Sequence, residues 1–171
     1  MGTKDFVGMP LSVSNTLTYD QKELYKFLKK WFTERGYSIK EKDYTEKILA
    51  DGKKLYHFNW ATSKWIDEIT KAYIQVEFKA EVENVNVETH DGKKKNAQDG
   101  LVLVTFTTYF DRDPTSEWNM LKSDPYKTLF REVWDKMLAR GKWERRKSAL
   151  EKDLESIMSD LKTYLKVHRY D

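Results

Sequence analysis

The chain has 171 residues, 31 basic and 28 acidic, so its formal charge is +3. That length suits one domain burying about 70% of the surface its unfolded chain exposes. With no cysteine, disulfides, thiolate metal sites and a cysteine nucleophile are excluded, and with no apolar run of ~18 residues no segment is expected to span a membrane.

Residues 1–17 carry no clear period, and Pro10 with Ser12, Ser14 and Asn15 reads as an extended, flexible arm. Lys4 and Asp5 beside Phe6, with no apolar stretch after them, do not form a secretion signal, so a soluble cytoplasmic protein is expected. One α+β domain is predicted over residues 18–171. It opens with a helix from about Tyr19 to Arg35, whose capping box pairs Thr18 with Gln21. Leu24, Phe27, Leu28, Trp31 and Phe32 make its apolar stripe, and Gly36 ends it.

From Tyr37 to Phe110 the period changes to two. Asp51-Gly52 predicts a two-residue turn between strands near 43–50 and 53–62, with Tyr56, Phe58 and Trp60 on one face and His57 and Asn59 on the other. From Ala72 to Val82, Ile74, Val76, Phe78 and Ala80 alternate with Tyr73, Gln75, Glu77 and Lys79. The apolar positions then move to Val85 and Val87, which predicts a β-bulge near Glu83-Asn84. Residues 89–100 read as a polar loop, and Val102, Val104, Phe106 and Phe110 as the inward row of the next strand, with Thr105, Thr107 and Tyr109 outward. Ser123, Asp124 and Pro125 predict a helix start with a stripe from Tyr126 to Leu138. Leu150, Leu154, Ile157, Leu161 and Leu165 predict a further helix, with Gly141 as a possible break between the two. The expected fold is α+β: an N-terminal helix, an antiparallel meander of about four strands, then two C-terminal helices packed on one face of the sheet.

Several chemistries lack support. The glycines never fall in the spacing of a phosphate-cradling loop, and no serine sits in a nucleophile elbow. His57, His90 and His168 stand far apart, so neither a metal nor a cofactor is expected.

Three patterns carry chemistry. Glu77-Phe78-Lys79 on a strand, with Asp67 upstream, has the carboxylate and lysine spacing of Mg²⁺-dependent nucleases, where carboxylates hold the ion and the ammonium meets developing charge. Alternating Glu and Lys also describes any wet strand. Asp111-x-Asp113 could hold a divalent ion, although Pro114 favours a plain strand-ending turn. Arg140, Lys142, Arg145, Arg146 and Lys147 surround Trp143 against Glu144 alone, a candidate polyanion site that Lys93, Lys94 and Lys95 would extend. The evenly mixed charges of the last helix make a poor case for a membrane surface.

The leading expectation is therefore a non-catalytic module that binds another macromolecule, a protein or a second copy of itself. Nucleic acid or another polyanion is the first alternative. A hydrophobic ligand held between sheet and helices, with His57, Asn59 or Tyr109 as polar contacts, is the second. The Mg²⁺-dependent nuclease is the last.

Overall fold

A computed structural model describes residues 3–68, 70–89, 91–112, 133, 140–167 and 170. Among them the order is β1 (Thr3–Phe6), β2 (Leu11–Tyr19), α1 (Gln21–Glu34), β3 (Ser38–Ile48), β4 (Lys54–Trp65), β5 (Thr70–Glu88), β6 (Lys94–Arg112) and α2 (Arg140–Val167). The six strands form one antiparallel sheet in the order β3-β4-β5-β6, and β1 and β2 lie one after the other along the far side of β6. The broad α+β class stands, but the expected architecture does not. The chain opens with two strands rather than a helix, and the sheet has six strands rather than about four. The helix expected between Ser123 and Leu138 falls, except for Val133, outside the described residues.

The longer N-terminal strand escaped a period-two reading because Asn15 interrupts the alternation of Leu11, Val13, Leu17 and Tyr19. Val13 and Leu17 are buried, while Ser12, Ser14, Asn15 and Thr16 are exposed. A strand on a sheet's rim needs no more than that, since pairing with β6 fixes it from Leu11↔Phe106 to Tyr19↔Gln98. Thr18 belongs to this strand, its hydroxyl donating to Asp99 at 2.7 Å, so it cannot cap α1. Asp20 does so instead: its carboxylate accepts from the amides of Lys22 and Glu23 at 3.0 and 3.2 Å. The Gln21 amide donates to the Gln98 side chain, which completes the first turn.

Two hairpin turns are built alike. Leu49 N donates to Lys53 O and Gly52 N to Leu49 O, and Thr89, Gly92 and Lys93 repeat both bonds. Gly52 and Gly92 lie at φ 86° and 71°, the left-handed position of a three-residue loop, where the predicted turn had two. The second turn is also far tighter than the expected 89–100 loop. The strands β5 and β6 pair without interruption from Thr70↔Arg112 to Glu88↔Lys94, so no bulge occurs at Glu83-Asn84. Parity is kept there and polarity switches, because beyond Val82 the inner face passes under the polar start of α1. The bulge lies on β3 instead, where Lys42 is the extra residue between Glu41 and Asp43.

Both helices cover the same face of the sheet. Phe58 stacks on Phe78 at 4.6 Å and on Trp60 at 4.7 Å, and Tyr25 of α1 meets Phe58 and Trp60 edge-on. The helices run antiparallel to one another along a polar seam. Phe27 stacks on Tyr164 at 4.3 Å, Trp31 Nε1 donates to Asp160, Arg35 reaches Ser156 and the Tyr37 hydroxyl donates to Asp153. The predicted stripe of α2 is the buried one, Leu150, Leu154, Ile157, Leu161 and Leu165, and Gly141 lies inside this helix. No helix among the described residues is long and apolar enough to cross a membrane.

Candidate binding face

Strand parity turns every second residue away from the helices, and register sets those residues in rows across the sheet. One row reads Asp43, Asn59, Glu77, Thr105 and Ser12; the next reads Thr45, His57, Lys79, Leu103 and Ser14; a third reads Lys47, Leu55, Glu81, Leu101 and Thr16. Toward the opposite end of the sheet lie Ser63, Tyr73, Tyr109 and Phe6, then Trp65, Lys71, Asp111 and Lys4.

From β3 to β6, the second and third rows and Glu77 of the first frame an open groove of about 560 Å³, lined by Leu55, Leu101 and Leu103 around His57, Glu77 and Lys79. Lys79 Nζ lies 2.8 Å from Glu77 Oε1, and His57 bridges Asp43 at 3.6 Å and Glu77 at 3.4 Å. The His57 Nε2 contact is close enough for charge but too poorly aligned for a hydrogen bond, and that nitrogen is shielded from solvent. The Lys79 ammonium, and after it His57, hold the Glu77 carboxyl below the ordinary glutamate range, against the opposing effect of its partial burial. Glu77 is thus a firmly ionised anchor, with the Lys79 ammonium on one side and the His57 ring on the other.

At the other end of the face Tyr73 and Tyr109 stack at 4.8 Å, and Phe6 tilts against Tyr109 at 5.6 Å. Lys4 sits over the Tyr109 ring and Lys71 over Trp65 and Tyr73. Phe6 and Trp65 remain 67% and 49% exposed, so this end offers aromatic surface that the fold does not use.

The residues named from sequence are distributed as follows. Asp67 lies in the β4–β5 turn, 2.6 Å from Arg146, whereas Glu77 is seven residues along β5 from Thr70, roughly 23 Å at strand rise. The two carboxylates therefore do not converge, and no three His, Asp or Glu among the described residues are placed to hold a metal. Asp111 sits in register between Lys4 and Lys71, and Asp113 lies outside the described residues, as do His90 and His168. His57, Asn59 and Tyr109 line the face away from the helices, so they do not furnish a sheet–helix pocket; stacked aromatic rings occupy that layer.

The basic segment is split. Arg140, Lys142 and Arg145 are exposed, Arg146 pairs with Asp67, and Trp143 packs on Phe110 at 4.8 Å with the Arg112 guanidinium 4.3 Å from its ring. Lys95 belongs to another place, 2.8 Å from Asp20 at the start of α1. Lys93 and Lys94 are exposed near the tip of the β5–β6 hairpin. Trp143 meets the Arg112 end of β6, 18 residues from Lys94 or roughly 60 Å along the strand, so Lys93–Lys95 do not extend that patch.

A second open pocket, about 790 Å³, lies where the sheet runs past α1, lined by Asp20, Lys22, Tyr44, Glu46, Lys54, Tyr56 and Lys95 among others. It resembles an anion site at a helix start. The amides of its first turn, however, are already taken by Asp20 and Gln98, which leaves no backbone donors there for a phosphate.

Sequence reasoning passed over Asp43, Leu101 and Leu103. The leucines were visible as apolar residues on the parity assigned to water. Asp43 was hidden by the turn: a two-residue loop pairs it with Trp60 on the helix face, and the true three-residue loop pairs it with Asn59. No protein-family model matches this chain, and no curated protein matches it in sequence.

Proposed function

We propose that this chain is a non-catalytic binding module that takes a protein surface on the open face of its sheet, acting in the cytoplasm. The observation that carries the reading is the groove in which Leu55, Leu101 and Leu103 surround His57 and the Glu77–Lys79 ion pair. Protein interfaces combine an apolar centre with a polar rim, and exposed aromatics such as Phe6 and Trp65 are their usual anchors. Charge separates protein from polyanion. Lys4, Lys40, Lys47, Lys71 and Lys79 on this face are interleaved with Asp43, Glu77, Glu81 and Asp111, and a phosphate backbone favours a surface of one sign.

A photo-crosslinking amino acid at Leu101, compared with one at exposed Lys152 on α2, tests the reading in extracts of the source cells. The expected result is a discrete protein adduct at position 101 only, competed by the unlabelled chain and abolished by Leu103→Glu. Equal adducts at both positions, or adducts removed by nuclease, contradict it. A second reading rests on Arg140, Lys142 and Arg145, exposed together on the first turns of α2. It predicts salt-sensitive oligonucleotide binding lost in the triple Glu variant, and an unchanged titration between wild type and variant rejects it.

A further inference from the structure

The two long edges of the sheet are protected very differently. The free edge of β3 carries six charged residues in eleven, Lys40, Glu41, Lys42, Asp43, Glu46 and Lys47, together with the Lys42 bulge. Such an edge resists pairing with another strand. The sequence of β2, LSVSNTLTY, has no charged residue in nine and no bulge.

Two observations show which backbone groups of β2 point outward. The Thr18 carbonyl accepts from Tyr170 N at 2.8 Å, away from β6. The Ser12 and Thr105 hydroxyls meet at 2.9 Å, the close approach of a pair whose backbones do not bond one another. By period two, Ser12, Ser14, Thr16 and Thr18 present their N–H and C=O groups to the outside. Tyr170 occupies the Thr18 end, and Pro10, which has no N–H, bounds the other. The open stretch is Leu11–Leu17, and its midpoint is Ser14. Ser12, Ser14, Asn15 and Thr16 are all exposed, and no described residue bonds to that edge between Leu11 and Leu17.

We infer that this edge pairs with the same edge of a second copy of the chain, antiparallel about a two-fold axis at Ser14. The register is self-complementary. Ser14 faces Ser14 of the other copy, Ser12 faces Thr16, Val13 faces Asn15, and Leu11, 40% exposed in the single chain, faces Leu17. Six backbone hydrogen bonds form, two for each of the three outward pairs, with no charge placed against a like charge. The axis stands perpendicular to the sheet, so the two sheets become one and their open faces lie on the same side. This pairing stands apart from the open-face reading, since the edge and the groove use different residues.

Like charges on the axis test it. Sedimentation equilibrium of the full chain should give twice the 20.4 kDa chain mass at micromolar to submillimolar concentration. Ser14→Lys and Ser14→Asp should each weaken association on the order of 100-fold, and an equimolar mixture of the two should restore it as a mixed dimer. Far-UV circular dichroism of each variant reports its fold, and recovery on mixing requires that both be folded. A wild-type chain monomeric throughout that range, a dimer indifferent to both substitutions, or a mixture that stays monomeric overturns the inference.

Discussion

Gly100 sits in the middle of β6, flanked by Leu17 of β2 and Val82 of β5, and a Cβ there would drive into the Glu81 carbonyl oxygen. The collision is with backbone, which cannot swing aside, so Gly100→Ala should cost on the order of 2–4 kcal/mol in urea unfolding. Asp20 shows how one side chain serves two elements. It caps α1 and pairs with Lys95 at 2.8 Å, fastening the helix start to the outer end of β6. Its burial opposes ionisation, but the Lys95 ammonium and the amides of Glu23 and Lys22 outweigh that and hold the carboxyl below the ordinary aspartate range. A lowered carboxyl pKa contributes stability that is complete above the unfolded value near ~4 and is lost as pH falls through the folded value. Asp20→Ala should therefore cost about 1–2 kcal/mol at neutral pH, the loss of a cap, and the difference from wild type should shrink on acidification. A loss that stayed constant with pH would show that the carboxylate charge is not what acts.

At the scale of elements, the α1–α2 seam shows a division of labour. Leucines of α2 meet the sheet, while Tyr164 and Asp160 meet α1 and, one turn further on, Ser156 and Asp153 meet Arg35 and Tyr37 just beyond its end. Asp160 accepts from Trp31 Nε1 at 2.8 Å and lies 3.6 Å from Arg35, whose guanidinium sits 4.0 Å from the Trp31 ring centre. A double-mutant cycle of Trp31→Phe and Asp160→Ala should give a coupling of about 1 kcal/mol; additive effects would mean the bond contributes nothing. These stripes were legible because period and burial are the same fact in a helix. The in/out alternation of β4, β5 and β6 was legible for the same reason. Turn length was not, because Asp-Gly suits both a two-residue loop and the last positions of a three-residue one, and that single residue moved Asp43 to the other face. The role of β2 was hidden as well, since a rim strand buries only Val13, Leu17 and Tyr19 and is held by partners distant in sequence. The candidate site was half visible: His57, Glu77 and Lys79 could be named, but their neighbours depend on register.

Over the whole molecule, one parity rule assigns the roles. Val76, Phe78, Val102, Val104 and Phe106 are fully buried under the helices, and residues between them point to the opposite face of the sheet. The adjacent pair Leu101 and Val102 samples both sides, one 48% exposed beside Glu81 and the other fully buried. The most direct measurement is urea unfolding of Leu101→Lys against Val102→Lys. Lysine at 101 lies across from Glu81 in water and should change stability by no more than about 1 kcal/mol. At 102 the same charge enters the core and should cost more than about 4 kcal/mol or prevent folding. Equal losses at the two positions, or the larger loss at 101, would contradict the division of the sheet into a buried face and an open one.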